Sequence, residues 1–373
     1  MSADYTQARS GRVGVGVIGA GVISSQYLDN LTTFPDLEVR FIADIDLDRA
    51  RAQAEKYGVA ASGTVEELLA DDEIEIVVNL TIPKAHVDVA LQVLAAGKHV
   101  WTEKPFALDR ESGQKLLDAA HAAGLRVATA PDTFLGAGLQ SSRRLLEAGG
   151  IGTPLTAITL LQSPGPESWH PNPDFLFQEG AGPLFDIGPY YITALVQLFG
   201  PVSRVTGVAS KAKPTRTIGS GPRAGEQFDV TVPTHVAALI EFESGQTAQS
   251  VFSFDSKLKR IQFEVAGVDG TLVVPDPNSF EGPLFVWGDG DDAAEFDAVG
   301  TTTTRGTGVA ELAQAIRAGR PERASGEQAF HVLDVMVSII ESAESGAPVE
   351  VTSTVESVPP LDEDWDPRVR SLA

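Results

Sequence analysis

The sequence predicts an α/β protein in two parts. Residues 1–131 read as a doubly wound parallel sheet, and residues 132–373 as a second α/β domain with a large, mostly antiparallel open sheet. Three observations carry this. Up to Pro131, strand-like apolar runs alternate with helix-like runs, the pattern of parallel βαβ units. Beyond Pro131 consecutive strands are joined by short turns such as Glu243-Ser244-Gly245 and Val268-Asp269-Gly270. The chain has 373 residues, too many for one ordinary core.

The elements follow in order. Arg12 to Ile18 is a Val-rich strand, and Val22 to Leu31 a helix. Leu37 to Ala43 is a strand opened by the Pro35-Asp36 turn. Asp46 caps a helix to Tyr57, which Gly58 stops. Thr64 caps Val65 to Ala70. Glu75 to Leu80 is a strand, Ala85 to Ala96 a helix ended by Gly97, and Lys98 to Thr102 a strand. Asp109 caps a helix to Ala123, Gly124 stops it, and Leu125 to Ala130 is the last strand of the first part. The second part opens with a helix, Gly136 to Ala148, and a strand, Leu155 to Gln162. Gly165 to Gly182 is a loop rich in Pro and aromatics, and Tyr190 to Phe199 a helix. Strands follow at Ser203 to Ala209, Thr234 to Glu243, Thr247 to Phe254, Arg260 to Ala266 and Gly270 to Val274. Gly288 to Gly308 reads as an exposed loop or irregular hairpin. Val309 to Ala318 and Glu327 to Ser345 are helices, and the tail after Pro359 is expected to be poorly ordered.

Composition excludes several function classes. A net charge of -23 and a pI near 4.6 repel phosphate backbones and anionic membranes. Without cysteine there are no disulfides, thiol nucleophiles or Cys-bound zinc. The six His are scattered with no His-x-x-x-His pair, so no metal is expected. Met1 to Gly11 is polar, and no apolar run reaches membrane-spanning length. A cytoplasmic protein is the expectation.

The first chemical signature is a glycine turn. A literal G-x-G-x-x-G search hits Gly14-Val15-Gly16-Val17-Ile18-Gly19, but those residues lie inside the strand, and the phosphate turn belongs between strand and helix. The register that fits is Gly19-Ala20-Gly21-Val22-Ile23-Ser24. Gly19 makes the tight turn. Gly21 admits a pyrophosphate to the N–H groups that open the helix, around Val22 and Ile23, and Ser24 replaces the third glycine. Asp44 ends the second strand, 25 residues after Gly19, where an acid meets the adenosine ribose 2′-hydroxyl and repels a 2′-phosphate. NAD is therefore expected over NADP. Thr81 and Pro83, at the end of the Glu75 to Leu80 strand, are placed to line the nicotinamide ribose. His86 either faces the cofactor or is an ordinary surface histidine.

The second signature is Glu103-Lys104-Pro105, at the end of the Lys98 to Thr102 strand and so at the same carboxyl edge. The third is Gly180-Ala181-Gly182-Pro183-Leu184-Phe185-Asp186-Ile187-Gly188-Pro189-Tyr190, with a carboxylate and a phenol four apart. Together with Gly19-x-Gly21 and Asn79-x-Thr81-x-Pro83-x-x-His86, these segments resemble the glucose–fructose oxidoreductase / inositol dehydrogenase / rhizopine catabolism protein (Gfo/Idh/MocA) family over about residues 12 to 350. The resemblance implies an N-terminal Rossmann domain and a C-terminal α/β domain with a large open sheet. It also implies pyridine-nucleotide oxidoreduction of a sugar, inositol or related polyol. By position, Lys104 contacts nicotinamide and substrate, and Asp186 belongs to the catalytic group. Many members carry His where this chain has Tyr190, so their substrates do not transfer. The family commonly forms dimers or tetramers through the open sheet. The apolar strands Val236 to Phe242 and Val251 to Phe254 point the same way.

Oxidising a secondary alcohol requires a base for the hydroxyl proton as hydride leaves carbon. Lys104 as an ammonium stabilises the developing alkoxide. Tyr190 is the proton carrier by register, with Pro189 expected in the first turn of the following helix. Asp186 holds the lysine or the substrate hydroxyls. In the aromatic loop Trp169 and His170 are candidate sugar contacts, as is Phe134 past the last strand of the first part. Two other readings stay open: a non-catalytic NAD(P)-binding regulator, and a dehydrogenase of non-sugar substrates such as dihydrodiols.

Overall fold

The computed structural model describes residues 10–372, so most of the polar Met1 to Gly11 segment lies outside it. The chain divides into two compact units. The first holds the described residues up to Ala137, Val299–Phe330, and those from Val358 onward. The second holds Gly138–Ala298 and His331–Ser357. This corrects the 131/132 boundary: a C-terminal stretch returns to the first unit. Nothing in the composition of 299–330 marks it for one unit over the other.

In the first unit the order is β1 (Val13–Ile18), α1 (Val22–Leu31), β2 (Leu37–Ala43), α2 (Leu47–Tyr57), β3 (Ala61–Gly63), α3 (Val65–Leu69), β4 (Ile76–Asn79), α4 (His86–Ala95), β5 (His99–Thr102), α5 (Arg110–Ala123) and β6 (Val127–Thr129). The strands form one parallel sheet in the order β3-β2-β1-β4-β5-β6. That order reverses direction beside β1 and β4, where ligands bind outside the strand ends. The helix boundaries follow their caps. The Asp46 side chain accepts from Arg49 N, Thr64 and Glu67 form a reciprocal capping box, and Asp109 accepts from Ser112 N. Gly58 and Gly124 end their helices in the left-handed conformation.

The second unit begins with α6 (Ala137–Glu147), whose first residue still belongs to the first unit, and β7 (Pro154–Gln162). It continues with α7 (Gly182–Phe199), β8 (Val202–Ser210), β9 (Thr215–Thr217), β10 (Gln227–Asp229), β11 (His235–Phe242), β12 (Thr247–Ser253), β13 (Arg260–Gly267), β14 (Thr271–Val273), β15 (Leu284–Trp287) and β16 (Ala294–Phe296). The chain then supplies α8 (Thr307–Ala318) to the first unit. α9 (Gly326–Ser345) crosses the division at Phe330/His331, and β17 (Val349–Glu350) is the last strand. Nine strands form a sheet in the order β16-β15-β14-β13-β7-β12-β11-β8-β17. Every pair is antiparallel except β7 with β12. β9 and β10 form a separate antiparallel pair that the sequence reading did not anticipate.

Two expectations are corrected here. The tail is docked, not loose: buried Asp36 accepts from Ser371 N (3.0 Å), Ser371 Oγ (2.6 Å), Leu372 N (2.9 Å) and Gln314 Nε2 (3.0 Å). Helix α7 begins at Gly182, eight residues before the expected start, because Pro183 is the proline that occupies its first turn. Pro189 is interior.

The interior of the second unit also sets a pH limit. His331 is fully buried, its Nε2 accepting from Val202 N at 2.9 Å and its Nδ1 meeting Ser353 Oγ at 2.9 Å. Burial holds its pKa down to about 4, against an ordinary 6.5. The unfolded chain therefore binds the proton first, so stability falls as pH drops from 6.5 towards 4. This amounts to on the order of 3 kcal/mol for one such group. The urea midpoint is expected to be clearly lower at pH 4.5 than at pH 7.5 in the wild type. An equal midpoint at both would refute this.

Candidate functional site

The candidate nucleotide end of the first unit is built from the carboxyl ends of β1, β2 and β4. Gly14 and Gly16 are packing glycines: a Cβ would lie 1.9 Å from Glu73 O at the first and 2.9 Å from Leu68 Cδ2 at the second. Gly19 has φ +102, and a Cβ there would sit 2.6 Å from Leu80 O, so only glycine makes this turn. Gly21 differs. Its φ of -73 suits any residue, and a Cβ would meet nothing within 4 Å. The chain itself needs no glycine there, and the space at the start of α1 is left open. Ser24 is buried and donates its hydroxyl to Gly21 O at 2.6 Å, so the third-glycine position is filled without loss of packing.

Asp44 is buried, and its carboxylate fixes the turn. Oδ2 accepts from Ala20 N at 2.7 Å and Oδ1 from Asp46 N at 2.8 Å. The Arg49 guanidinium stands 4.0 Å from Asp44 and 3.3 Å from Asp46. Three large apolar side chains follow the three strand ends in the open: Val22 is 93% exposed, Ile45 99% and Ile82 68%. Such exposure at one sheet edge fits the flat faces of a dinucleotide. Ile45 and Ile82 escaped the sequence reading because hydrophobicity alone does not say that a residue stays outside.

Thr81 donates its hydroxyl to Asn79 Oδ1 at 2.7 Å, and Asn79 Nδ2 donates to His86 O at 2.9 Å. His86 is neither a surface residue nor turned outward. It is buried, with Nδ1 2.9 Å from Pro105 O and Nε2 3.0 Å from Thr81 O. Burial lowers its pKa against the pull of those two carbonyls. The ring joins the loop after β4 to the loop after β5 and has no nitrogen left for a nucleotide. Lys104 follows β5, half-buried, and its backbone N–H donates to Glu103 Oε2 at 3.0 Å. Phe134 is buried at 2% exposure, a core residue and not a stacking platform.

In the second unit Asp186 and Tyr190 lie one turn apart on a single face of α7, within an unbroken helix. Asp186 is half-buried and Tyr190 is 7% exposed. Tyr191 is rotated away into the core, between Phe252 and Phe263. Gly188 allows the helix to pack, since a Cβ would lie 3.1 Å from Leu184 Cδ1 and 3.3 Å from Met336 Sδ.

Trp169 is 68% exposed and meets His170 edge-on at 5.6 Å, and His170 meets Phe175 likewise. The loop that carries them is anchored by Arg216 of β9. This buried guanidinium pairs with Glu167 and Asp255, donates to Phe254 O at 3.1 Å, and lies 4.9 Å over the Phe177 ring. Phe177, Ile218, Phe228, Val230 and Phe254 form an apolar cluster beneath. Arg216 and its hairpin were missed because short, polar β9 and β10 carry no alternating pattern. Among the described residues no group of three or more His, Asp or Glu is placed to hold a metal, and no helix is long and apolar enough to cross a membrane.

Residues 13–130 match the oxidoreductase family with an NAD-binding Rossmann fold, and residues 139–273 match the GFO/IDH/MocA C-terminal domain. The chain belongs to the Gfo/Idh/MocA family of oxidoreductases. It is an NAD-binding member. Over 270 residues it is 28% identical to inositol 2-dehydrogenase 3 of Saccharopolyspora erythraea, covering 71% of this chain and 74% of that protein. Over 350 residues it is 26% identical to D-xylose 1-dehydrogenase (NADP(+)) 2 of Haloferax volcanii, covering 90% and 99%. Levoglucosan dehydrogenase in complex with NADH and L-sorbose shares the fold, with a TM-score of 0.79 at 22% identity over 92% of this chain and all of that one.

Proposed function

We propose that this Gfo/Idh/MocA oxidoreductase transfers hydride between NAD(H) and a secondary alcohol or ketone of a sugar, inositol or related polyol. The observation that carries the reading is Lys104. It is a lysine held by Glu103 at the end of β5, in the same unit as the Gly19–Gly21 turn and Asp44. Bound NAD supplies the hydride acceptor. The open cradle at Gly21 and the N–H groups that begin α1 hold its pyrophosphate, Asp44 takes the adenosine ribose, and Val22, Ile45 and Ile82 cover apolar faces. Lys104 stabilises negative charge on the substrate oxygen, Tyr190 carries the hydroxyl proton, and Asp186 orients the neighbouring hydroxyls. Trp169 and His170 offer a rim for a sugar ring. His86 and Phe134 serve by position, not by contact. That Lys104 and the Asp186–Tyr190 pair act on one substrate is carried by the family's paired motifs. A panel of sugars, inositols and sugar lactones, followed through nicotinamide absorbance with NAD, is expected to reveal turnover on at least one polyol. Turnover only on non-polyol alcohols would overturn the substrate class.

NAD is expected to bind at least tenfold more tightly than NADP, a difference of about 1.4 kcal/mol. The buried Asp44 carboxylate faces the 2′-position, and Arg49, the nearby cation, is already engaged by Asp46 and Asp44. Equal affinities in calorimetric titration would remove this claim.

A homodimer or homotetramer is also proposed, through the open face of the nine-stranded sheet. Cross-strand pairing puts Leu239, Gln249, Ile158, Glu264, Val273 and Phe285 in one row of that face. Leu239 is 54% exposed and Ile158 44%, as is Trp287 in the adjacent row. Apolar exposure of this extent favours association. Light scattering at micromolar concentration is expected to give two or four times 39.4 kDa; the monomer mass would refute it.

A further inference from the structure

Tyr27 does more than pack. It lies in α1, is fully buried, and its hydroxyl has two partners: it donates to Glu103 Oε1 at 2.7 Å and accepts from Trp101 Nε1 at 3.2 Å. The direction is forced. An indole N–H only donates and a carboxylate only accepts, so the single phenol proton must point at Glu103. Glu103 then uses its other oxygen, Oε2, to accept the backbone N–H of Lys104 at 3.0 Å. Its own backbone N–H donates to Asn79 O at 3.0 Å, at the end of β4. Both oxygens of Glu103 are thereby assigned, one to α1 and one to the lysine. Further charge lies behind the phenol. Buried Asp132 accepts from Gly306 N at 2.9 Å and Gly308 N at 3.1 Å, with the Arg305 guanidinium 3.8 Å away. Burial, then the charges of Glu103 and Asp132, push the Tyr27 pKa well up, so the phenol keeps its proton and remains a donor.

We propose that Tyr27 is a positioning residue for the reaction: through Glu103 it sets where Lys104 stands, and it ties that setting to the helix whose first turn receives the pyrophosphate. A phenylalanine would fill the same volume, so packing alone does not require the hydroxyl. The connection runs within one unit, from the phosphate turn along α1 to the end of β5. It predicts that the placement of the nucleotide and of the lysine are mechanically linked. The proposal rests on the reading of Lys104 as the cation of a dehydrogenase.

The test uses the full chain with NAD and compares wild type, Y27F, E103Q and the double variant. Y27F is expected to lower kcat by about tenfold or more, while KM for NAD moves less than about threefold, because a misplaced catalytic group costs rate before it costs binding. In the E103Q background Y27F is expected to cost less than about twofold more, since the two act along one path. A kcat within twofold of wild type in Y27F, or independent, multiplying effects in the double variant, would overturn the proposal. Should Y27F be too unstable to assay, E103D replaces it. It keeps the charge but is too short to reach both Tyr27 Oη and Lys104 N; a kcat within twofold of wild type would again overturn the proposal. A second readout needs no substrate. In the NAD-bound protein, acetylation of Lys104 by acetic anhydride, quantified by peptide mass spectrometry, is expected to change at least threefold in Y27F relative to exposed Lys115. An unchanged ratio would overturn the proposal. If no polyol is turned over, the proposed function fails while this ratio still decides the role of Tyr27.

Discussion

Lys104→Ala is expected to lower kcat on the order of 10²–10³-fold while NAD still binds. The loss follows from where the charge acts. An ammonium that meets the substrate oxygen contributes little to the ground state and much to the transition state, where that oxygen becomes negative. Removing one preorganised donor of this kind costs rate in that range. The proposed nucleotide contacts lie elsewhere, at the Gly19–Gly21 turn and at Asp44, whose bonds to Ala20 N and Asp46 N do not involve the lysine side chain. Calorimetry with NAD should therefore give an affinity within about threefold of wild type. Lys104→Arg keeps a positive charge but spreads it over a planar fork, and should recover only part of the rate. If Lys104→Ala retains kcat within about threefold, the residue is structural and the proposed mechanism loses its cation.

The first unit was legible because its signals are local. Asp46, Thr64 and Asp109 cap as their residue types demand, Gly58 and Gly124 stop helices in the conformation only glycine enters cheaply, and each expected strand lands within a few residues of its apolar run, while short β3 was not expected. Asp44 was singled out by its spacing to Gly19, though its bond to Ala20 N was not foreseeable. What sequence could not supply depends on partners far along the chain. His86 resembles a loop histidine until Pro105 O and Thr81 O close on both nitrogens. The tail after Pro359 looks unstructured until Asp36 gathers Ser371 and Leu372, more than 330 residues away by the separations of 335 and 336. Tyr27, in a helix assigned correctly, gave no hint of its bond to Glu103, 76 positions on. Two prolines in one motif misdirected the start of α7: either suits a first turn, and only packing decides between Pro183 and Pro189.

That correction reshapes the expectation for Tyr190→Phe. Tyr190 is not at the start of α7 but two turns inside it, so the positive end of the helix is too far to stabilise a phenolate, an effect confined to the first turn. The group the proposal assigns to favour a phenolate is Lys104. Under that assignment Tyr190→Phe removes only the proton-carrying atom and leaves the ring in place. Turnover should fall on the order of 10²–10⁴-fold, the usual size of a general acid–base contribution, with little change in thermal stability. Alcohol oxidation in the wild type should speed up as pH rises, and the variant should lose that slope. Tyr191→Phe is the contrasting case. The Tyr191 hydroxyl is buried without a hydrogen-bond partner, and burial pushes its pKa far up, so it neither carries protons nor stabilises the fold. Deleting it should leave kcat intact and leave stability unchanged or raise it by about 1 kcal/mol, since an unsatisfied buried hydroxyl is a cost. A Tyr190→Phe enzyme that keeps its rate, alongside a Tyr191→Phe or His170→Ala enzyme that loses it, would show that the proton travels by another residue.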